Sequence, residues 1–215
     1  MDIAILLYDR MTALDAIGPY EVLGRLPGAN VTFVSPDPGT KRTDQSLGLV
    51  ADTSLADAPR PDIVVVPGGP GETAVGTDER VLDWLRSAHE TTTWTTSVCT
   101  GSLVLGAAGL LEGKRATSHW LALDQLPKYG AEPTLERVVI EGKIITAAGV
   151  SAGIDMGLTL AARLAGDEVA QTIQLGIEYD PQPPFDAGSP TKAPQFSVDF
   201  LRERSRFILT GEGSG

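Results

Sequence analysis

The stretch WTTSVCTGSLVLGAAGLL, residues 94–111, decides how the chain is read, and it holds the only cysteine. WTTSV (94–98) is short and β-branched, as a buried strand is. TGSLVLGAAGLL (100–111) predicts a helix of small and apolar residues. Cys99 stands on the corner between them. A strand that runs straight into a helix presents its corner residue at the sheet's edge, in a turn too sharp for bulky neighbours. Ser97, Gly101 and Ser102 supply small ones. Free amides at the helix start favour thiolate over thiol, and the thiolate is the nucleophile. The competing reading is plain packing, since a lone cysteine also serves as a small buried hydrophobe.

Outward from that corner the pattern repeats. DIAILLY (2–8), VTFVSP (31–36) and DIVVVPGG (62–69) predict buried parallel strands. SLGLVADTSL (46–55) predicts a small strand or hairpin arm. Between the first two strands, the segment DRMTALDAIGPYEVLGRL carries Pro19 just before YEVLGRL, which suggests proline in a helix's first turn. DERVLDWLRSAHE (78–90) places Val81, Leu82 and Leu85 at helical spacing. KRATSHW (114–120) predicts a brief strand and turn. ERVVIEGKIITAAG (136–149) predicts a small β-hairpin about Glu141-Gly142-Lys143. SAGIDMGLTLAARLAG (151–166) predicts a helix started by Ser151 and stopped by Gly166, and DEVAQTIQLGIEY (167–179) another capped by Asp167. A proline-rich loop (181–194), a terminal helix (195–208) and a frayed tail (210–215) complete the chain.

Strand and helix alternate from residue 2 to about residue 120. That order predicts an α/β fold: a doubly wound, mostly parallel sheet with helices on both faces, in a single domain over residues 1–209. Ligands of such sheets bind beyond the carboxyl ends of the strands. Asp15, Gly68-Gly69 and Cys99 all fall at those ends.

Composition excludes several classes. The chain has 215 residues, 42% hydrophobic and 21% charged, which is ordinary for a globular protein. Its formal net charge of −11 disfavours nucleic acid and anionic membranes as partners. One cysteine forms no internal disulfide, and MDIAILLYDR is too short for a signal peptide or a membrane span, so a reducing cytoplasm is the expected compartment. Cys99, His89 and His119 show no ligand spacing, so no metal is expected.

Each candidate has a plain alternative. Asp15 suits a helix cap as well as an acid–base group. PGGPG (67–71) is a tight turn, or a loop whose Gly68 and Gly69 amides face a substrate atom. Thr100 opens a helix, with its hydroxyl near the thiol. His119 is a packed histidine or a partner of Cys99. His89 sits on a polar helix face and is expected to be solvated.

Taken together, VVVPGGPG, SVCTGSLVLGAAGLLEGKRATSHW and AAGVSAGIDMGL resemble the ThiJ/PfpI superfamily, which shares the class I glutamine amidotransferase-like fold. The likeness runs from DIAILLYD to GIEYDPQPPFDAGSP. LDAIGPYEV, CTGSLVLGAAGLL, ATSHW and EYDPQPPFDAGSP resemble its isocyanide-hydrating branch. Many members place glutamate where this chain has Asp15, and the peptidase members place histidine where it has Thr100. The resemblance implies Cys99 as nucleophile, Asp15 as acid–base partner and Thr100 as a supporting group. It also implies a homodimer, no cofactor, and isocyanide and water as substrates, with Gly68, Gly69 and His119 contributing to substrate binding.

Three rival functions use the same scaffold. A glyoxalase- or deglycase-type enzyme on small aldehydes also needs the thiol, and His119 suits it. A ligand sensor fused to a DNA-binding region lacks support, because no basic recognition helix follows Gly166. A stress protein that senses oxidation through Cys99 fits the corner thiol equally well.

Overall fold

The computed structural model describes residues 1–207. The expected tail (210–215) and the last residue of the expected terminal helix lie outside the described residues. In chain order the elements are β1 (Asp2–Leu6), α1 (Ala13–Leu23), β2 (Asn30–Ser35), β3 (Gly39–Arg42), β4 (Gly48–Ala51), β5 (Thr53–Ser54) and β6 (Ile63–Val66). Next come α2 (Glu72–Val75), α3 (Glu79–Thr91), β7 (Trp94–Val98), α4 (Gly101–Ala107) and β8 (Arg115–Ala116). A 3₁₀ helix (Leu123–Tyr129) leads to β9 (Glu132–Pro133), β10 (Val138–Glu141), β11 (Ile144–Ala147), α5 (Ala152–Ala165), α6 (Asp167–Gly176) and α7 (Gln195–Glu203).

Seven strands form the central sheet in the order β10-β11-β7-β6-β1-β2-β5. All pair in parallel except β10, which returns antiparallel to β11 through the expected hairpin. The central strands β1 and β6 are almost wholly buried, as their unbroken apolar runs require. β1–α1–β2 steps to one side of β1, while β6–α3–β7 steps to the other. Right-handed crossovers in opposite directions put α1 and α3 on opposite faces. Accordingly α1 packs on α5 and α5 on α6, whereas α2 and α3 pack on α4. The direction reverses between β1 and β6, and that is where such sheets form a crevice beyond the strand ends.

Several local readings change. α1 starts at Ala13, so Pro19 lies inside the helix rather than in its first turn. Its position is set by packing: a Cβ on Gly153 of α5 would stand 3.1 Å from Pro19 Cδ. Ser151 sits at the N-cap of α5, but its hydroxyl makes no cap bond and accepts instead from Arg137 Nη2. Gly166, at φ 89°, both ends α5 and occupies the N-cap of α6, so Asp167 is a first-turn residue and not the cap. Residues 46–55 do hold the expected hairpin arm, β4, which pairs with β3, and they add the edge strand β5.

Gly101 marks a tight crossing between the β6 and β7 ends. A Cβ there would lie 2.1 Å from Val66 O, which is backbone and cannot yield cheaply. Gly176 meets nothing within 4 Å. Gly101→Ala should therefore lose more than about 2 kcal/mol in urea denaturation, whereas Gly176→Ala, on an open helix end, should be neutral or stabilising by up to about 1 kcal/mol. Equal effects of the two would show that this crossing is not strained.

Candidate active site

Three strand ends meet at the crevice. From the β7 end, Cys99 adopts φ 59°, a left-handed conformation that a residue with a side chain takes only when its surroundings impose it. Here the imposition is visible. The Cys99 N–H donates to both Ala147 O (3.0 Å) and Ala148 O (2.9 Å), and its carbonyl accepts from Ser102 Oγ (3.2 Å) and Ser118 Oγ (3.1 Å). The corner is thus bound on both peptide sides, and the residue is 5% exposed.

From the β1 end, Asp15 projects from the first turn of α1 and is fully buried. Its Oδ2 accepts from the Gly68 N–H at 2.9 Å, and its Oδ1 has no hydrogen-bond partner among the described residues. The carboxyl adjoins the Cys99 thiol. From the β6 end comes PGGPG. Gly68 touches the corner so closely that a Cβ on it would stand 2.4 Å from Thr100 N and 2.9 Å from Cys99 Cβ. Gly69, at φ 127°, donates its N–H to Thr100 Oγ1 at 2.9 Å.

Those two bonds revise an expectation. The Gly68 and Gly69 amides do not face an open substrate site; one holds Asp15 and the other holds the Thr100 hydroxyl. The amides that face the sulfur are those of Val150 and Thr100, and both favour its charged form. Val150 carries the positive φ of 23° that this placement demands. The Thr100 hydroxyl points to the glycine turn, so its backbone, not its side chain, meets the thiol.

The electrostatics also depart from a simple helix-start thiolate. Burial, then the Asp15 charge, push the Cys99 thiol up from its ordinary value to about 12, and the amides only partly oppose this. Burial raises the Asp15 carboxyl to about 7, against the Gly68 N–H, which lowers it. Two acids that resist simultaneous ionisation titrate as a pair. Burial and mutual repulsion both disfavour double ionisation, so the pair holds on to a proton above the ordinary carboxylate range.

A cavity of about 420 Å³ opens next to the neighbours of Cys99, lined by residues that include Ser118, His119, Trp120, Leu135, Ala148 and Val150 but not by Cys99 or Asp15 themselves. Cys99 sits just behind that wall, bonded to Ala148 and Ser118. His119 is on the cavity wall, and burial lowers its pKa, which keeps the ring neutral. Among the described hydrogen bonds its ring meets only the Leu121 N–H, at 3.3 Å. His89 is half-buried rather than solvated, and its Nδ1 lies 2.8 Å from Thr95 Oγ1, away from the crevice. Among the described residues no cluster of three His, Cys, Asp or Glu could hold a metal.

Residues 1–163 match the DJ-1/PfpI family. The chain belongs to that family. Among DJ-1/PfpI relatives, it is 47% identical to the isonitrile hydratase of Pseudomonas putida over 205 residues, 95% of this chain and 90% of that protein. A ThiJ/PfpI family protein from Pseudomonas syringae superposes with a TM-score of 0.92 at 40% identity, covering 94% of this chain and 84% of that one. Drosophila melanogaster DJ-1beta superposes at 0.74 with 28% identity, over 82% and 97% of the two chains. The DJ-1/PfpI membership accounts for the parallel sheet.

Sequence reasoning missed Tyr8, Glu72 and Arg206. Tyr8 is buried and donates its hydroxyl to Pro67 O at 2.7 Å. Glu72, 5% exposed, pairs with Arg206 at 2.9 Å. No local pattern marks any of them.

A buried carboxyl with a raised pKa binds its proton more tightly folded than unfolded. Its contribution to stability is complete below the ordinary carboxylate value of 3.8 and is lost as pH rises to about 7. Asp15→Asn removes that loss. In urea melts taken across this range, the variant should gain on the wild type as pH rises, by about 1 kcal/mol or more at the upper end. Parallel pH profiles would place the Asp15 carboxyl at its ordinary value.

Proposed function

We propose that this chain hydrates isocyanides to N-substituted formamides, with Cys99 as nucleophile and Asp15 as acid–base partner. The observation that carries the reading is the buried thiol–carboxyl pair with one proton between them, beside a cavity sized for a small molecule. The 47% identity to an isonitrile hydratase across nearly the whole chain supports it.

The proton inventory fits the chemistry. The terminal carbon of an isocyanide accepts a soft nucleophile. Sulfur attacks that carbon and Asp15 delivers the shared proton to it, giving an N-substituted thioimidate on Cys99. Water then adds to the same carbon while Asp15 relays a proton from the water to nitrogen. Collapse forms the formamide carbonyl and breaks the carbon–sulfur bond. The hydroxyl proton returns to Asp15, so the pair again holds one proton. The net change is addition of one water, without oxidant or cofactor. The Val150 and Thr100 amides steady charge on sulfur as it forms and leaves. Gly68 and Gly69 serve by holding Asp15 and Thr100. We further read the active form as a cytoplasmic homodimer.

His119 on the cavity wall favours a second reading, aldehyde chemistry of the glyoxalase type. The two separate cleanly. Purified protein mixed with an alkyl isocyanide should give the formamide by mass spectrometry, Cys99→Ala should lose nearly all turnover, and His119→Gln should lose less than about tenfold, short of the ~10²–10⁴-fold cost of removing an essential acid–base group. Fast methylglyoxal turnover abolished by His119→Gln, with no formamide from the wild type, would establish the aldehyde reading instead.

A further inference from the structure

The loop that carries the site is held on its inner side by backbone and by Tyr8: the Thr12 N–H donates to Gly68 O at 2.9 Å, the Gly71 N–H donates to Arg10 O at 3.0 Å, and the Tyr8 hydroxyl donates to Pro67 O at 2.7 Å. PGGPG offers no side-chain hydrogen-bonding group between residues 67 and 71. Yet its Gly68 amide fixes Asp15 and its Gly69 amide fixes Thr100, each at 2.9 Å. A backbone that orients two site residues must itself be anchored, because errors of about 1 Å in such positions can cost on the order of 100-fold in rate.

The anchor on its outer side comes from far along the chain. Arg206, beyond α7, lays its guanidinium against the outer side of the same turn. Its Nη2 donates to Gly69 O at 3.1 Å, and its Nη1 donates to Pro70 O at 2.7 Å and to Thr73 Oγ1 at 3.2 Å. Nη2 also lies 2.9 Å from Glu72 Oε2. Glu72 is a buried carboxyl, and among the described residues Arg206 is its only ion-pair partner. A planar guanidinium with five donors can bridge two carbonyls, a hydroxyl and a carboxylate at once; an ammonium group lacks that fork. We propose that Arg206 is a positioning residue for the Cys99–Asp15 pair, clamping the Gly69–Thr73 turn so that its inner amides hold Asp15 and Thr100. This role rests on Cys99 and Asp15 being the reacting pair, as proposed above, but not on a particular substrate.

The sign of the effect follows from the geometry. The groups that bear on Asp15 are the Gly68 amide, Cys99 and Asp44, with the Tyr8 phenol close by. Of these the Gly68 N–H stabilises the carboxylate. A loosened turn weakens that bond, so the lower titration of the pair moves to higher pH.

The test is alkylation of Cys99 by iodoacetamide across pH, read on the chain's only thiol, together with formamide turnover. The variants are Arg206→Met, Arg206→Lys and the double Glu72→Gln/Arg206→Met, which unclamps the turn without leaving a buried charge. In the wild type the alkylation rate should climb through a limb near pH 7, where Asp15 ionises and becomes able to take the proton from the Cys99 thiol as it attacks. In all three variants the limb should move up by about half a pH unit or more. Their kcat should fall about tenfold or more, with KM changed less than about threefold. A folded double variant with the wild-type limb and kcat overturns the proposal and leaves Arg206 as a neutraliser of Glu72. Wild-type protein that forms no formamide, while the variants still shift the alkylation limb, overturns the hydratase reading and upholds the clamp.

Discussion

Two backbones meet at the reactive corner with no room for a side chain between them. Gly68 lies against Thr100 N and Cys99 Cβ, and Gly101 lies against Val66 O and Pro67 O. Neither contact survives a methyl group. The closeness lets the β6 loop extend its amides to Asp15 on one side and Thr100 on the other. It also requires β6 and β7 to be adjacent and in register, Val66 beside Ser97, so that both chains leave the sheet at the same level. The parallel order, the strained φ of Cys99 and the buried carboxylate are all arranged around that contact.

Burying Asp15 is costly, and the structure recovers little of the cost through hydrogen bonds, since one carboxyl oxygen is bound and the other has no partner among the described residues. The protein tolerates it by keeping a proton on the pair. A fully ionised thiolate and carboxylate in contact would repel strongly in a medium that screens poorly. The singly protonated pair avoids that, and it stores the one proton a nucleophilic addition must deliver. Strain and charge are concentrated where the strand ends converge, while β1 and β6 beneath them are conventional apolar strands.

The parts of this arrangement written in local pattern were legible. Apolar runs gave the strands, alternation with helices gave the parallel sheet, and the strand-to-helix corner singled out Cys99. Asp15 and the glycine pair followed from their places after strands. What was illegible depends on pairing across the chain. GTKR at β3 has no apolar alternation and becomes a strand only by pairing with β4. Pro19 looked like a helix start because its packing inside α1 rests on Gly153 of α5, far along the chain. The duties of the Gly68 and Gly69 amides depend on which acceptors lie opposite them, and those acceptors are 53 and 31 residues away in the chain. Glu72 and Arg206 carry no motif at all; each is an ordinary charged residue until the fold brings them together.

The far position of Arg206 has a consequence for biosynthesis. Every strand of the sheet, both glycines and Cys99 leave the ribosome before the guanidinium that braces their loop. A nascent or stalled chain can therefore assemble the sheet and even the cysteine corner while the outer side of the turn above it is still unbraced. If Arg206 clamps the turn as proposed, the turn gains its outer brace only when the segment after α7 folds back across it. On that reading, synthesis order separates building the scaffold from bracing its catalytic turn.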